Sequence, residues 1–535
     1  MAEQNGDSAD VVVVGAGVSG AITSLILAEA GIDVVCLEQG GRVAPGAFPH
    51  FDADWEWQRS TAWHPEPNTR RGEDDYPVET DSEATLMWNA VGGSSVIYTA
   101  LWPRYRPSDF RKGDEHGLAP NWPITYEELA PFYDEADRLL GVSGLAGDPG
   151  GPAVAAYPTP PLPIGAVGRR LAAGFDRLGW HWWPMPAAVI SQDYDGRPGC
   201  NGCGGCIAGC PRGSMSNVAL SVWPKALRAG ARLRTRARAL SVETDRAGRA
   251  TGVVYADREA GCRRRVRAQA VVLACNGVGT PRLLLASGDL ANSSGQVGRN
   301  LTHHTLVGTE MWVDAPLASH TGSLGAVISQ QFAETDTGRG FVNGFNFNCV
   351  GMEGAGLQSL GFLAPGGAPW GEGHHDWFRR HFGHGFVAFA IGDDIPRPEN
   401  RVTLSADACD ADGLPVPRIE YAPHANDWAM MAFARERLQD LAGAVDSFAH
   451  RTVDYVDPLT GRYRPPAWHL LGTCRMGDDR ATSVVDRWNR CWDVPNLLVV
   501  DGSALATAGA VNPTPTIAAV AVRAARHLRD SRGRV

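Results

Sequence analysis

The sequence predicts an α/β (α+β) fold in which a Rossmann-type nucleotide-binding domain is interleaved with an antiparallel-sheet substrate domain. Three observations predict it. A strand of four consecutive valines, Val11 to Val14, runs directly into Gly15-Ala-Gly17-Val-Ser-Gly20. Apolar strand signals recur far downstream at Ala270–Ala274 and Asn496–Val500, each before a Gly-containing turn and a helical pattern. Between about 310 and 460 the pattern becomes alternating and aromatic, as in Gly340-Phe-Val-Asn-Gly-Phe-Asn-Phe-Asn348, which suits an antiparallel sheet covering a site built elsewhere.

Taken in order, Asp10–Val14 reads as a buried strand, Gly15–Gly20 as a turn, Ala21–Ala30 as a helix and Asp33–Leu37 as a second strand. That is one βαβ unit. A Gly/Pro-rich stretch at 144–166 reads as an exposed connection leaving the first domain. At 535 residues the chain is too long for one simple core. The net charge of -10 argues against nucleic acid, whose phosphates require clustered Lys and Arg, and fits a neutral or cationic small substrate. The first ten residues carry no Lys, no Arg and no apolar stretch, and no apolar run approaches the roughly 20 residues of a membrane helix. A cytoplasmic protein without a membrane segment is the expectation.

The Gly15, Gly17 and Gly20 spacing supplies a tight turn, a close backbone approach to a pyrophosphate and close helix–sheet packing. The following helix turns its free N–H groups toward phosphate, and Glu38, ending the second strand, is placed to accept from a ribose diol. These residues recognise adenosine diphosphate and leave FAD and NAD equivalent.

Later segments separate them. Trp88-Asn-Ala-Val-Gly-Gly-Ser-Ser95, Ala274-Cys-Asn-Gly-Val-Gly-Thr-Pro-Arg282, Val297-Gly-Arg-Asn-Leu301, His469-Leu-Leu-Gly-Thr-Cys-Arg-Met-Gly477, Val499-Val-Asp-Gly-Ser503 and Val511-Asn-Pro-Thr514 resemble the glucose-methanol-choline (GMC) family of FAD-dependent oxidoreductases, particularly its sugar and glycoside dehydrogenases and oxidases. The match in order and separation covers nearly the full length. It implies five segments: residues 1–145, 215–310 and 461–535 build the FAD-binding domain, 146–214 form a Cys-rich connection with part of the substrate domain, and 311–460 form the substrate-binding domain.

The resemblance places Gly92, Gly93, Ser94 and Ser95 against the isoalloxazine and pyrophosphate, Asp501 and Gly502 beside the ribityl and pyrophosphate, and Pro513 and Thr514 beside the pyrimidine ring. Some members attach FAD through a His just after the Ser pair; here Val96 stands there, so non-covalent FAD is expected. Alcohol oxidation needs a base for the hydroxyl proton while hydride leaves carbon, and His suits this near neutrality. The resemblance assigns that base to His469 and substrate positioning to Asn512.

Cys200-x2-Cys203-x2-Cys206-x3-Cys210-Pro211 reproduces a ferredoxin-type iron–sulfur spacing. The alternatives are free or disulfide-bonded thiols and a zinc site. Flavin-dependent glucose dehydrogenases of the family carry a three-iron cluster at positions matching Cys200, Cys206 and Cys210, so a 3Fe-4S cluster is favoured over 4Fe-4S, with Cys203 spare. The seven other cysteines are scattered singly and read as small packed groups. The histidines at 374, 375, 381 and 384 match no defended ligand spacing, Trp180, Trp182 and Trp183 read as packing groups, and Arg263–Arg267 reads as a solvated strand edge.

The expected function is oxidation of an alcohol group of a sugar, glycoside or related polyol to a ketone or aldehyde, with oxygen, a quinone or a redox protein as electron acceptor. Alternatives are a primary alcohol of an aminoglycoside-type intermediate and a hydrophobic or aryl alcohol. A nicotinamide-dependent flavin/iron–sulfur reductase would need a second Gly-x-Gly-x-x-Gly after a strand, which the sequence lacks. A flavin-stabilised scaffold would not need His469 and Asn512.

Overall fold

A computed structural model describes residues 3–4, 7–49, 52–352, 354–360 and 367–531. In strand Ser8–Val14 the four valines are buried without alternation, because a central parallel strand is covered on both faces. It pairs in parallel with Val34–Leu37 on one side and Cys262–Leu273 on the other. Arg232–Arg234 extends the sheet beyond Val34–Leu37, and Leu497–Val499 joins the C-terminal end of Cys262–Leu273, both in parallel. Residues more than two hundred positions apart therefore lie side by side.

Strand Cys262–Leu273 is twelve residues long and serves two layers. Its N-terminal half pairs antiparallel with Ala250–Asp257, which continues to Ala237–Thr244. Arg263–Arg267 lies here, and the structure corrects the expectation of an edge: Arg263 and Arg264 are opposite Glu3 and Gln4 on one side and Ala256 and Tyr255 on the other. The charge is handled on the sheet face, where Arg264 meets Asp257 at 3.0 Å and Arg265 meets Glu243 at 2.6 Å.

The second sheet is antiparallel, in the order Ala449–Val453, Thr305–Trp312, Gly385–Gly392, Phe345–Gly351, Gly325–Phe332 and Trp183–Pro184. Trp183–Pro184 reaches it from the segment that contains the four cysteines. Helix Ala425–Ala444 packs on Thr305–Trp312 and Gly385–Gly392, and Gly165–Leu178 packs on Gly325–Phe332. Between helices and sheet lies an aromatic core in which Phe347 stacks with Trp180 and Phe175, and Phe332 meets Phe345. Rings of this size dominate core energetics, burying about 150–250 Å² each. The sheet's other face turns toward the dinucleotide layer, which is why all eight residues of Thr305–Trp312 are buried. Among the described residues no helix is long and apolar enough to cross a membrane.

Candidate active site

Between the two sheets runs a cavity of about 520 Å³, lined from Glu38 and Gly17 at one end to His469 and Asn512 at the other. At the first end the glycines are required sterically. Gly15 has φ +102, and a Cβ there would lie 2.3 Å from the Ala274 carbonyl oxygen. A Cβ at Gly20 would lie 1.9 Å from Gly15 O. Gly17 differs: its Cβ would meet only Gly93 Cα, at 4.0 Å. Gly17 also starts helix Val18–Glu29 without a side-chain cap, leaving the helix N-terminus to an anion in the cavity.

Glu38 is buried, and its carboxylate accepts from Ala16 N at 2.8 Å and Gly40 N at 2.9 Å. Burial outweighs these bonds and pushes its pKa up to about 7. The turn Gly93–Val96 docks on the glycine loop, with Gly92 N donating to Ala16 O at 3.0 Å. Gly93, Ser94 and Ser95 line the cavity, whereas Gly92 stands behind it, where a Cβ would strike Asn217 at 2.6 Å. Ser95 Oγ donates to Gly92 O and accepts from Val218 N, and Ser94 Oγ accepts from Trp88 N.

Asp501, Gly502, Pro513 and Thr514 line the same cavity. The Asp501 carboxylate accepts from Asn276 N, Thr280 Oγ1, Ser503 N and Ser503 Oγ, and burial still raises its pKa. Pro513 and Thr514 begin helix Thr514–Asp530, so a second helix N-terminus faces the cavity. Glycines that leave room for a backbone-hugging ligand, two helix N-termini and a long continuous cavity fit a flavin dinucleotide.

At the far end, Asn512 Nδ2 lies 3.5 Å from His469 Nε2. Burial, followed by the neighbouring His304 and His303, holds the His469 pKa well below the usual imidazole value. Asn512 Oδ1 accepts from Asn348 Nδ2 at 2.7 Å, which turns its amide N–H groups away from Asn348 and toward His469. His469 Nδ1 is 2.9 Å from Nδ1 of the buried His304. The His304 backbone N–H and that of His303 donate to the two oxygens of Asp394, and buried His303 lies 2.9 Å from buried Glu83. Sequence reasoning missed Asn348, His303 and His304. The pair His303-His304 stands two residues after Val297-Gly-Arg-Asn-Leu301, so its position beside that motif was the available signal.

The four-cysteine run requires a correction. Among the described residues no group of three or more His, Cys, Asp or Glu side chains is arranged to hold a metal ion, which argues against the iron–sulfur cluster expected on Cys200, Cys206 and Cys210. The loop is tied to its surroundings instead. Cys200 Sγ accepts from Gly202 N, Cys210 Sγ accepts from Met215 N, and Cys203 bridges to Gly322. Cys210 is buried in the core under the dinucleotide sheet, with Cys200 and Cys206 packed against it.

Residues 9–306 and 396–521 match the two family models described as GMC oxidoreductase. Over 533 residues the chain is 43% identical to 2-methyl-1,2-propanediol dehydrogenase of Mycolicibacterium austroafricanum, covering 98% of this chain and 95% of that one. It is 31% identical to the fructose dehydrogenase large subunit of Gluconobacter japonicus, covering 97% of each. Among solved structures, pyridoxine 4-oxidase from Mesorbium loti superposes with a TM-score of 0.62 at 18% identity, covering 97% of this chain and 99% of that one. Together, fold and comparisons define an FAD-dependent oxidoreductase. The chain belongs to the GMC oxidoreductase family, and it acts on an alcohol group.

Proposed function

We propose that this protein oxidises a compact, uncharged alcohol or diol to the corresponding carbonyl compound, with His469 as the base and Asn512 as the group that holds the substrate oxygen. The observation that carries the substrate class is the cavity wall. The antiparallel sheet contributes Leu306, Val350, Phe389 and Ile391, with Asn348 as its polar member. Among the described residues the cavity's carboxylates are Glu38 and Asp501, both at the dinucleotide end and both bonded to backbone amides. A polycationic aminoglycoside needs carboxylates where the chemistry occurs. The 43% identical relative is named for a small branched diol, which suits an apolar wall.

FAD, when bound, supplies the acceptor for the hydride. The chain does the rest. His469 Nε2 takes the hydroxyl proton, Asn512 donates an N–H to the same oxygen, and Asn348 keeps the Asn512 amide in that orientation. The glycine turn, Glu38, Ser94, Asp501 and Thr514 would hold the cofactor, and Val96 offers no nucleophile for a covalent link. An external acceptor, such as oxygen, a quinone or a redox protein, removes the electrons.

A sugar or glycoside is the second reading. It is favoured by the fructose dehydrogenase relative and by Trp468, half exposed at the cavity, which offers a flat face to a ring. Anaerobic bleaching of the flavin by small diols, fructose, glycosides and an aminoglycoside tests both readings. Small diols should bleach it fastest. Faster bleaching by the aminoglycoside than by any neutral diol would overturn the substrate class. Unchanged bleaching in His469→Ala, where about a 10²- to 10⁴-fold loss is expected, would remove His469 as base.

A further inference from the structure

A histidine acts as base through Nε2 only when its proton sits on Nδ1, and a free imidazole populates both tautomers. Something in the site has to choose. The hydrogen-bond chain behind His469 makes that choice from backbone carbonyls outward. His304 Nε2 lies 2.7 Å from Gly509 O and 3.2 Å from Ala508 O. Carbonyl oxygens only accept, so His304 Nε2 carries a proton and donates it to them. In the neutral ring His304 Nδ1 is then a bare acceptor. It faces His469 Nδ1 at 2.9 Å, a distance at which two lone pairs cannot face each other and one proton is shared. That proton belongs to His469 Nδ1, which leaves the His469 Nε2 lone pair on the side of Asn512.

Building on the reading of His469 as base, we propose that His304 is a positioning residue that fixes the Nδ1–H tautomer of His469 and so presents Nε2 to the substrate. Its own geometry is rigid. The ring is buried, its backbone N–H donates to Asp394, and Asp394 also accepts from Tyr421 Oη at 2.9 Å. Burial lowers the His304 pKa, in keeping with a neutral ring. The relay also serves the proton transfer. As the substrate O–H breaks and an N–H forms at His469 Nε2, the Nδ1–H already points at an acceptor, so the new positive charge meets a lone pair rather than a second proton.

The direct test is ¹⁵N NMR of the holoenzyme labelled at histidine, with the His469 ring signals assigned by their loss in His469→Gln. The expected result is a protonated Nδ1 and an unprotonated Nε2. A protonated Nε2 in the wild-type protein overturns the proposal. Kinetics supply the second arm. His304→Leu fills the space without an acceptor, whereas His304→Asn keeps a carbonyl oxygen near the old Nδ1 position. In flavin-loaded protein, His304→Leu should slow anaerobic flavin reduction about 10- to 100-fold with substrate Kd unchanged, the loss of one hydrogen bond to the base, and His304→Asn should recover part of it. Equal rates in the two variants, or a wild-type rate in His304→Leu, also overturn the proposal. The two readings fail separately: unchanged reduction in His469→Ala removes the base, while the tautomer is read without any turnover.

Discussion

Substituting the glycines of the Gly15–Gly20 turn one at a time separates room for a cofactor from room for the fold. In Gly20→Ala the new Cβ would stand 1.9 Å from Gly15 O, against a limit of 3.0 Å for real Cβ contacts. The helix start must withdraw by about an ångström, or the turn must open. Overpacking of this kind costs about 1–3 kcal/mol, so the flavin-free protein itself should melt earlier. Gly17→Ala is different, because φ there is −73 and the Cβ meets only Gly93 Cα at 4.0 Å. The flavin-free protein should melt as wild type does. Its Cβ would occupy the approach of the pyrophosphate, and the same 1–3 kcal/mol, now falling on binding alone, weakens FAD about 5- to 150-fold. Thermal melting of the deflavinated proteins and FAD titration by flavin fluorescence measure the two effects. Wild-type FAD affinity in Gly17→Ala, within twofold, would refute the assignment of that glycine to the cofactor.

Four further outcomes follow from the site. Burial and the neighbouring His304 and His303 depress the His469 pKa below 6.5, so flavin reduction followed by stopped flow should stay flat from pH 8 through 6.5 and fall only at lower pH. The same shift means the folded chain binds fewer protons than the unfolded one; this stability is full above pH 6.5 and is lost as pH falls below it, which acid melting curves would register. Glu83→Ala strands buried His303, 2.9 Å from the lost carboxylate, and should lower unfolding stability by about 3–5 kcal/mol in denaturant titrations. Asn348→Leu frees the Asn512 amide and should cut kcat/KM about 10- to 100-fold, with FAD retained.

The nucleotide unit was legible because its signals are local. A strand of valines, three glycines at fixed spacing and an acidic residue at the next strand end need only their neighbours to be interpreted, and Ser8–Val14, Val18–Glu29 and Val34–Leu37 form close to the expected positions. The alternating aromatic stretch likewise became strand Phe345–Gly351, with Gly340 to Gly344 left as the turn before it. The cysteine run misled for the complementary reason. Spacing along a loop says which thiols are close in the chain, whereas a metal needs a set of ligating atoms that converge on one point, and among the described residues no such set of three or more assembles.

The glycine turn at Gly15, Gly17 and Gly20 and the motifs at Gly92–Ser95, His469 and Asn512 were enough, read along the chain alone, to identify the family. What surrounds His469 depended on folding. His304, Asn348 and His469 stand on separate strands and loops and meet because an antiparallel sheet closes over the end of the dinucleotide cavity. A hydrogen bond between residues 165 positions apart leaves no periodicity in the chain, and the tautomer it selects is a property of the folded site.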